Sequence, residues 1–147
     1  MGALWNNRIL IAVFTAWLTA QVTKTLIYGI LFKRFDRERI FGSGGMPSSH
    51  TAIVICLAVS VGIREGVASS LFAACAVLAM VVIYDAMGVR RETGRQGEVI
   101  NRILREFIVE GKPISEDKMK TLVGHTPLEV LGGIIVGITV ALIFMLI

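Results

Sequence analysis

Four runs of apolar side chains, at about residues 9–32, 47–63, 67–87 and 127–147, dominate this 147-residue chain. Roughly 20 helical residues cross a ~30 Å hydrocarbon core, and runs of that length narrow the folds open to a chain. Lipid satisfies no backbone hydrogen bonds, so each span must satisfy its own; four segments are too few for a closed barrel, which leaves helices. The expectation is an all-α, multi-pass membrane protein forming one domain over 1–147. The second run, about 17 residues, lies at the lower limit for crossing. "REG" (Arg64 to Gly66) reads as a tight hairpin that makes the second and third spans antiparallel neighbours. The chain is 54% hydrophobic, with a mean hydropathy of +0.73, well above that of water-soluble domains. The first run is too long for the core of a cleavable signal, and no small-residue cleavage site follows it. Cys56 and Cys75 fall inside apolar runs and read as small buried hydrophobes, neither a disulfide nor a metal pair.

Most of the basic residues lie in the connections. Lys33, Arg34, Arg37 and Arg39 follow the first span, and Arg90, Arg91, Arg95, Arg102, Arg105, Lys112, Lys118 and Lys120 follow the third, whereas the opposite side has only Arg8 and Arg64. That asymmetry predicts both long loops (33–46 and 88–126) in the cytoplasm and both termini on the outer side of the cell membrane. The net charge of +4 flanks apolar runs, so anionic lipid headgroups are the expected partner and nucleic acid is not. Within the longer loop, Ile100, Ile103, Leu104, Phe107 and Ile108 recur at helical spacing, opposite Glu98, Arg102, Arg105, Glu106 and Glu110. An amphipathic helix lying on the membrane surface is predicted there.

Four antiparallel spans bring the end of span one, the start of span two, the end of span three and the start of span four to one membrane face. The chemically unusual residues fall at those places. His50 opens span two in "GGMPSSHTA", His125 opens span four in "GHTPLE", and Asp85, Arg90 and Arg91 close span three in "YDAMGVRRETG". Lys24 lies inside span one with Gln21 and Tyr28 on the same helical face. A cation so placed costs at least ~2.5 kcal/mol unless it snorkels or finds a partner. It is expected to face the bundle interior and meet Asp85 or a phosphate. Helix N-termini offer free N–H groups and the positive end of the dipole to anions, and glycines at 44 and 45 let backbone amides approach closely. Arginine forks suit phosphate. Two histidines beside a phosphate can divide labour, one attacking phosphorus and the other protonating the leaving oxygen.

Each feature also has a plainer explanation. "PSSH" can be a helix start, with Pro47 in the first turn and a serine as cap. Thr126-Pro-Leu-Glu129 has the form of a capping box. Arg90 and Arg91 can be interfacial anchors. Gly133 and Gly137 form GxxxG, a close helix-packing face compatible with a homodimer.

"GGMPSSHTA", "YDAMGVRRETGRQ" and "LVGHTPLEVLGG", in this order and over nearly the whole chain, resemble the divergent branch of the type 2 phosphatidic acid phosphatase superfamily. The resemblance implies a helical lipid-phosphate phosphatase that needs no metal or other cofactor. It implies that His125 is the nucleophile and forms a phospho-histidine, that Glu129, standing where the family has Asp, assists it, and that His50 gives a proton to the leaving alcohol. Pro47, Ser48, Ser49 and His50 match the family's Pro-Ser-Gly-His, with Ser49 in place of Gly. Lys24, Arg90, Arg91 and the amides around Ser48 and Ser49 would hold the phosphate, and Asp85 would position Lys24 or an arginine. Two departures stand out. Met119, not Arg, lies six residues before His125, so Arg90 or Arg91 fills that role only if the long loop is an insertion. Seven residues after Lys24 stands Leu31, and Arg34 is followed by Phe35 where the family has Arg-Pro. The rival expectations are a non-catalytic protein that binds or translocates a lipid phosphate such as a polyprenyl phosphate, and a membrane scaffold.

Overall fold

The computed structural model describes residues 6–32, 45–88, 96–97, 99–100 and 126–147. The described elements are helical: α1 (Arg8–Phe32), α2 (Ser49–Glu65), α3 (Ser70–Met87) and α4 (Pro127–Leu146). Three of them, α1, α3 and α4, are long and apolar enough to cross a membrane, and α2 has 17 residues. Of the amphipathic segment expected after span three, residues 96–97 and 99–100 are helical and 101–125 lie outside the described residues.

Capping side chains set the helix ends. Asn7 Oδ1 accepts from the amides of Ile9 and Leu10, so α1 begins at Arg8. The hairpin after α2 is longer than "REG" predicts. Gly66 adopts φ 85°, which favours glycine, and Ser69 Oγ donates to Gly66 O while accepting from Phe72 N. Ser69 thus caps α3, and the helix starts at Ser70, not at Val67. Threonines inside the helices return their hydroxyls to carbonyls one turn back, Thr15 to Ile11, Thr25 to Gln21 and Thr139 to Ile135. That is the satisfaction lipid requires of a hydroxyl.

α2 is the centre of the bundle and packs on α1, α3 and α4, while α1 and α4 also pack on each other. Lipid tails are as apolar as leucine, so association rests on close van der Waals fit between small residues. α1 shows this plainly. Ala12, Ala16 and Ala20, one turn apart, are fully buried, whereas Phe14, Leu18, Val22, Leu26 and Ile30 form the outward stripe. The inner stripe ends at Lys24, only 3% exposed, with Gln21 beside it at 7%.

α4 meets α2 through its glycines. A Cβ on Gly133 would lie 2.5 Å from Ser48 O and 2.7 Å from Thr51 Cβ; one on Gly137 would lie 2.8 Å from Ala52 O and 3.0 Å from Cys56 N. Both registers climb together, so α2 and α4 run parallel. The GxxxG face is filled by α2 of the same chain, so a homodimer would need a different surface. α3 buries only Cys75, Ala79 and Ala86, and at the hairpin end its Phe72 ring lies 3.0 Å from where a Gly62 Cβ would be.

Candidate functional site

The polar residues gather at the end of the bundle where α2 and α4 begin. Ser48 is the N-cap of α2. Its Oγ accepts from Thr51 N at 3.4 Å and from Thr51 Oγ1 at 3.1 Å, and both residues are fully buried. The cap places Pro47 just before the helix and not in its first turn. Ser48 and Ser49 look equivalent in the sequence, but only Ser48 has the extended backbone, φ −69° and ψ 114°, that turns a side chain back onto the helix's amides. Gly45 precedes them at φ 88°, and the Met46–Pro47 peptide is cis.

At α4 the cap is a complete box: Glu129 N donates to Thr126 Oγ1 at 3.4 Å and Thr126 N donates to Glu129 Oε2 at 3.2 Å. The two helix starts are tied together by the main chain, Ser48 N donating to Glu129 O at 2.9 Å. Pro47 closes the contact from outside, its Cβ 3.2 Å from where a Gly132 Cβ would be. Parallel alignment and this tie set two helix N-termini side by side. Each contributes roughly half a positive charge at its end.

Lys24 and Asp85 belong to this level by register. Ala16 shares the apolar core with Cys56 and Val140, and Lys24 stands eight residues further along α1, about 12 Å at the helical rise. From Cys56 back to Ser49 on α2 is seven residues, about 10.5 Å in the same direction. On α3, Cys75 packs with Ala58 and Val61, and Asp85 lies ten residues beyond it, about 15 Å toward the start of α2. All four helices therefore carry polar groups to one level: Lys24 on α1, Ser48, Ser49 and His50 on α2, half-buried Asp85 on α3 and Glu129 on α4. Lys24 is buried as the polar stripe predicts. Ser49 is 5% exposed and His50 is half-buried. His125, Arg90 and Arg91, expected to attack phosphorus and to grip the phosphate, lie outside the described residues.

Three residues of this level were not legible as part of a site. Thr51 reads as one more small residue in an apolar run, and its bond to Ser48 appears only once the cap has formed. Gly132 reads as part of a helix-packing motif, although it faces Pro47. Gln21 was visible in the stripe with Lys24, but sequence alone does not show that its side chain is buried.

The comparisons with known proteins agree with the helical membrane architecture. The profile described as "Divergent PAP2 family" matches residues 5–140, and the chain belongs to that family. It is 37% identical over 150 residues to YuiD of Bacillus subtilis (strain 168), named an uncharacterized membrane protein, with 95% of each chain covered. No solved structure matches.

Proposed function

We propose that this member of the divergent PAP2 family is an integral membrane lipid-phosphate phosphatase. All four helices cross the membrane, the site and both long loops face the cytoplasm, and the termini lie on the outer side. The amphipathic stretch after α3 rests on the cytoplasmic surface, where it helps admit lipid headgroups. The supporting observation is the burial of Lys24 at the level where the N-termini of α2 and α4 are joined. Lys24 and the two positive helix ends put cationic groups at one level, which suits a phosphate group.

The chemistry runs in two balanced steps. A neutral ring nitrogen of His125 attacks phosphorus, the bond from phosphorus to the lipid oxygen breaks, and protonated His50 gives its proton to that oxygen. Water then attacks the phospho-histidine, His50 takes a proton from it, and phosphate leaves with His125 restored. One oxygen of Glu129 is committed to Thr126 N, and a carboxylate has lone pairs to spare for orienting His125. Lys24, Arg90, Arg91 and the amides around Ser48 and Ser49 neutralise the transferring phosphoryl group, and Asp85 positions the cations. The step uses no metal.

Phosphate release from a panel of lipid monophosphates and diphosphates by the purified protein tests this. His125→Ala and His50→Ala should each lose at least about 100-fold in rate while still binding lipid. Undiminished release by His125→Ala refutes the nucleophile. Met119, where the family has Arg, favours a second reading, a carrier that binds lipid phosphate without turnover. In that case both variants keep binding and the wild type releases nothing.

A further inference from the structure

Gln21 Oε1 is buried and accepts no hydrogen bond among the described residues, in a residue only 7% exposed. An amide oxygen withdrawn from water without a donor is costly, and such groups in native proteins have a reason. Its position supplies one. Gln21 shares the inner face of α1 with Lys24 and stands three residues nearer the middle of the helix, about 4.5 Å deeper. That is about the distance from a phosphorus to a substituent on the second carbon beyond its ester oxygen. A lipid in the cytoplasmic leaflet points its tails toward the bilayer centre. With its phosphate at Lys24 and the start of α2, its backbone therefore lies at the depth of Gln21. An orphan acceptor at that depth calls for a donor on the ligand.

We infer that Gln21 is a specificity-determining residue, accepting a hydrogen bond from a hydroxyl or N–H that the lipid carries next to its phosphate ester. The site then takes phosphates of lipids with a donor-bearing backbone, such as a monoacylglycerol or a long-chain amino alcohol, in preference to polyprenyl phosphates, which are hydrocarbon at that position. This rests on the lipid-phosphate reading above and adds a choice of substrate to it.

The experiment measures binding to the purified full-length protein in detergent micelles, with phosphate release followed in parallel. The probes are a monoacylglycerol phosphate with its free backbone hydroxyl, the same lipid with that hydroxyl replaced by hydrogen, and a polyprenyl phosphate. The wild type should bind the hydroxyl lipid about tenfold more tightly than either of the others. Gln21→Met, similar in length and apolar, should bring the three within about twofold of one another. Equal affinities in the wild type overturn the inference without any variant being needed. A ratio that survives Gln21→Met also overturns it and assigns the oxygen to a buried water. Selective binding with no release from any lipid upholds the role of Gln21 and sinks the hydrolase. Release without selectivity sinks Gln21 alone, and no binding of any probe sinks both.

Discussion

Gly133→Ala tests the joint on which the site depends. The added methyl would lie 2.5 Å from Ser48 O and 2.7 Å from Thr51 Cβ, against ordinary carbon contacts of about 3.5–4.0 Å. Its obstacles are a main-chain carbonyl and a β-carbon, neither of which can swing away as a flexible side chain would. α4 must therefore retreat from α2 by about 1 Å. Glu129 lies one turn before Gly133, so the same retreat stretches the Ser48 N to Glu129 O bond from 2.9 Å to well past the limit for a hydrogen bond. Overpacking costs about 1–3 kcal/mol. The stranded amide of Ser48 adds about 1–3 kcal/mol. The control is Gly29→Ala on α1, where a Cβ meets nothing within 4 Å and the better helix former should be neutral or slightly stabilising. Denaturation in detergent micelles, followed by far-UV circular dichroism, compares the two. Gly133→Ala should unfold at least about 2 kcal/mol more readily than Gly29→Ala, and phosphate release should fall with it. Equal stability of the two variants would refute the claim that α2 and α4 are locked through glycine.

Lys24→Met removes a cation from the level where α2 and α4 begin, and affinity for a lipid phosphate should fall about 10- to 100-fold in a direct binding assay. Ser48→Ala removes the α2 cap and the acceptor for Thr51 Oγ1, and should cost about 1–2 kcal/mol in the same denaturation experiment. The turnover rate should rise and then fall with pH. It climbs as the nucleophilic histidine loses its proton and drops as the general acid loses its own. A flat profile between pH 5 and about 9 would remove both histidines from the chemistry.

The helical architecture was readable because lipid leaves a long apolar run little other choice, and the four helices fall on the four runs. Helix ends were less readable. Ser48 and Ser49 differ in backbone angle, not in chemistry, and Ser69 outcompetes the earlier start at Val67 by reaching both Gly66 O and Phe72 N. The GxxxG motif announced a close contact without saying with what; only packing shows that Gly133 and Gly137 meet α2. Lys24 was legible as an inward-facing cation, since its cost in lipid admits few alternatives. Its coincidence in height with Ser48 and Asp85 depends on how the helices slide past one another, which no single helix encodes. Thr51 joins the site only through the fold.

α3 packs chiefly on α2, burying three small side chains and setting its Phe72 ring against Gly62, and leaves most of its surface to the surroundings. Two neighbouring helices that point the same way cannot be joined by a short turn, so something must carry the chain back before the second of them can begin. α3 is that return stroke. A foreign apolar helix of equal length should replace it, provided small residues are kept at 75, 79 and 86 and the acid at 85. The triangle of α1, α2 and α4 would then stand as before.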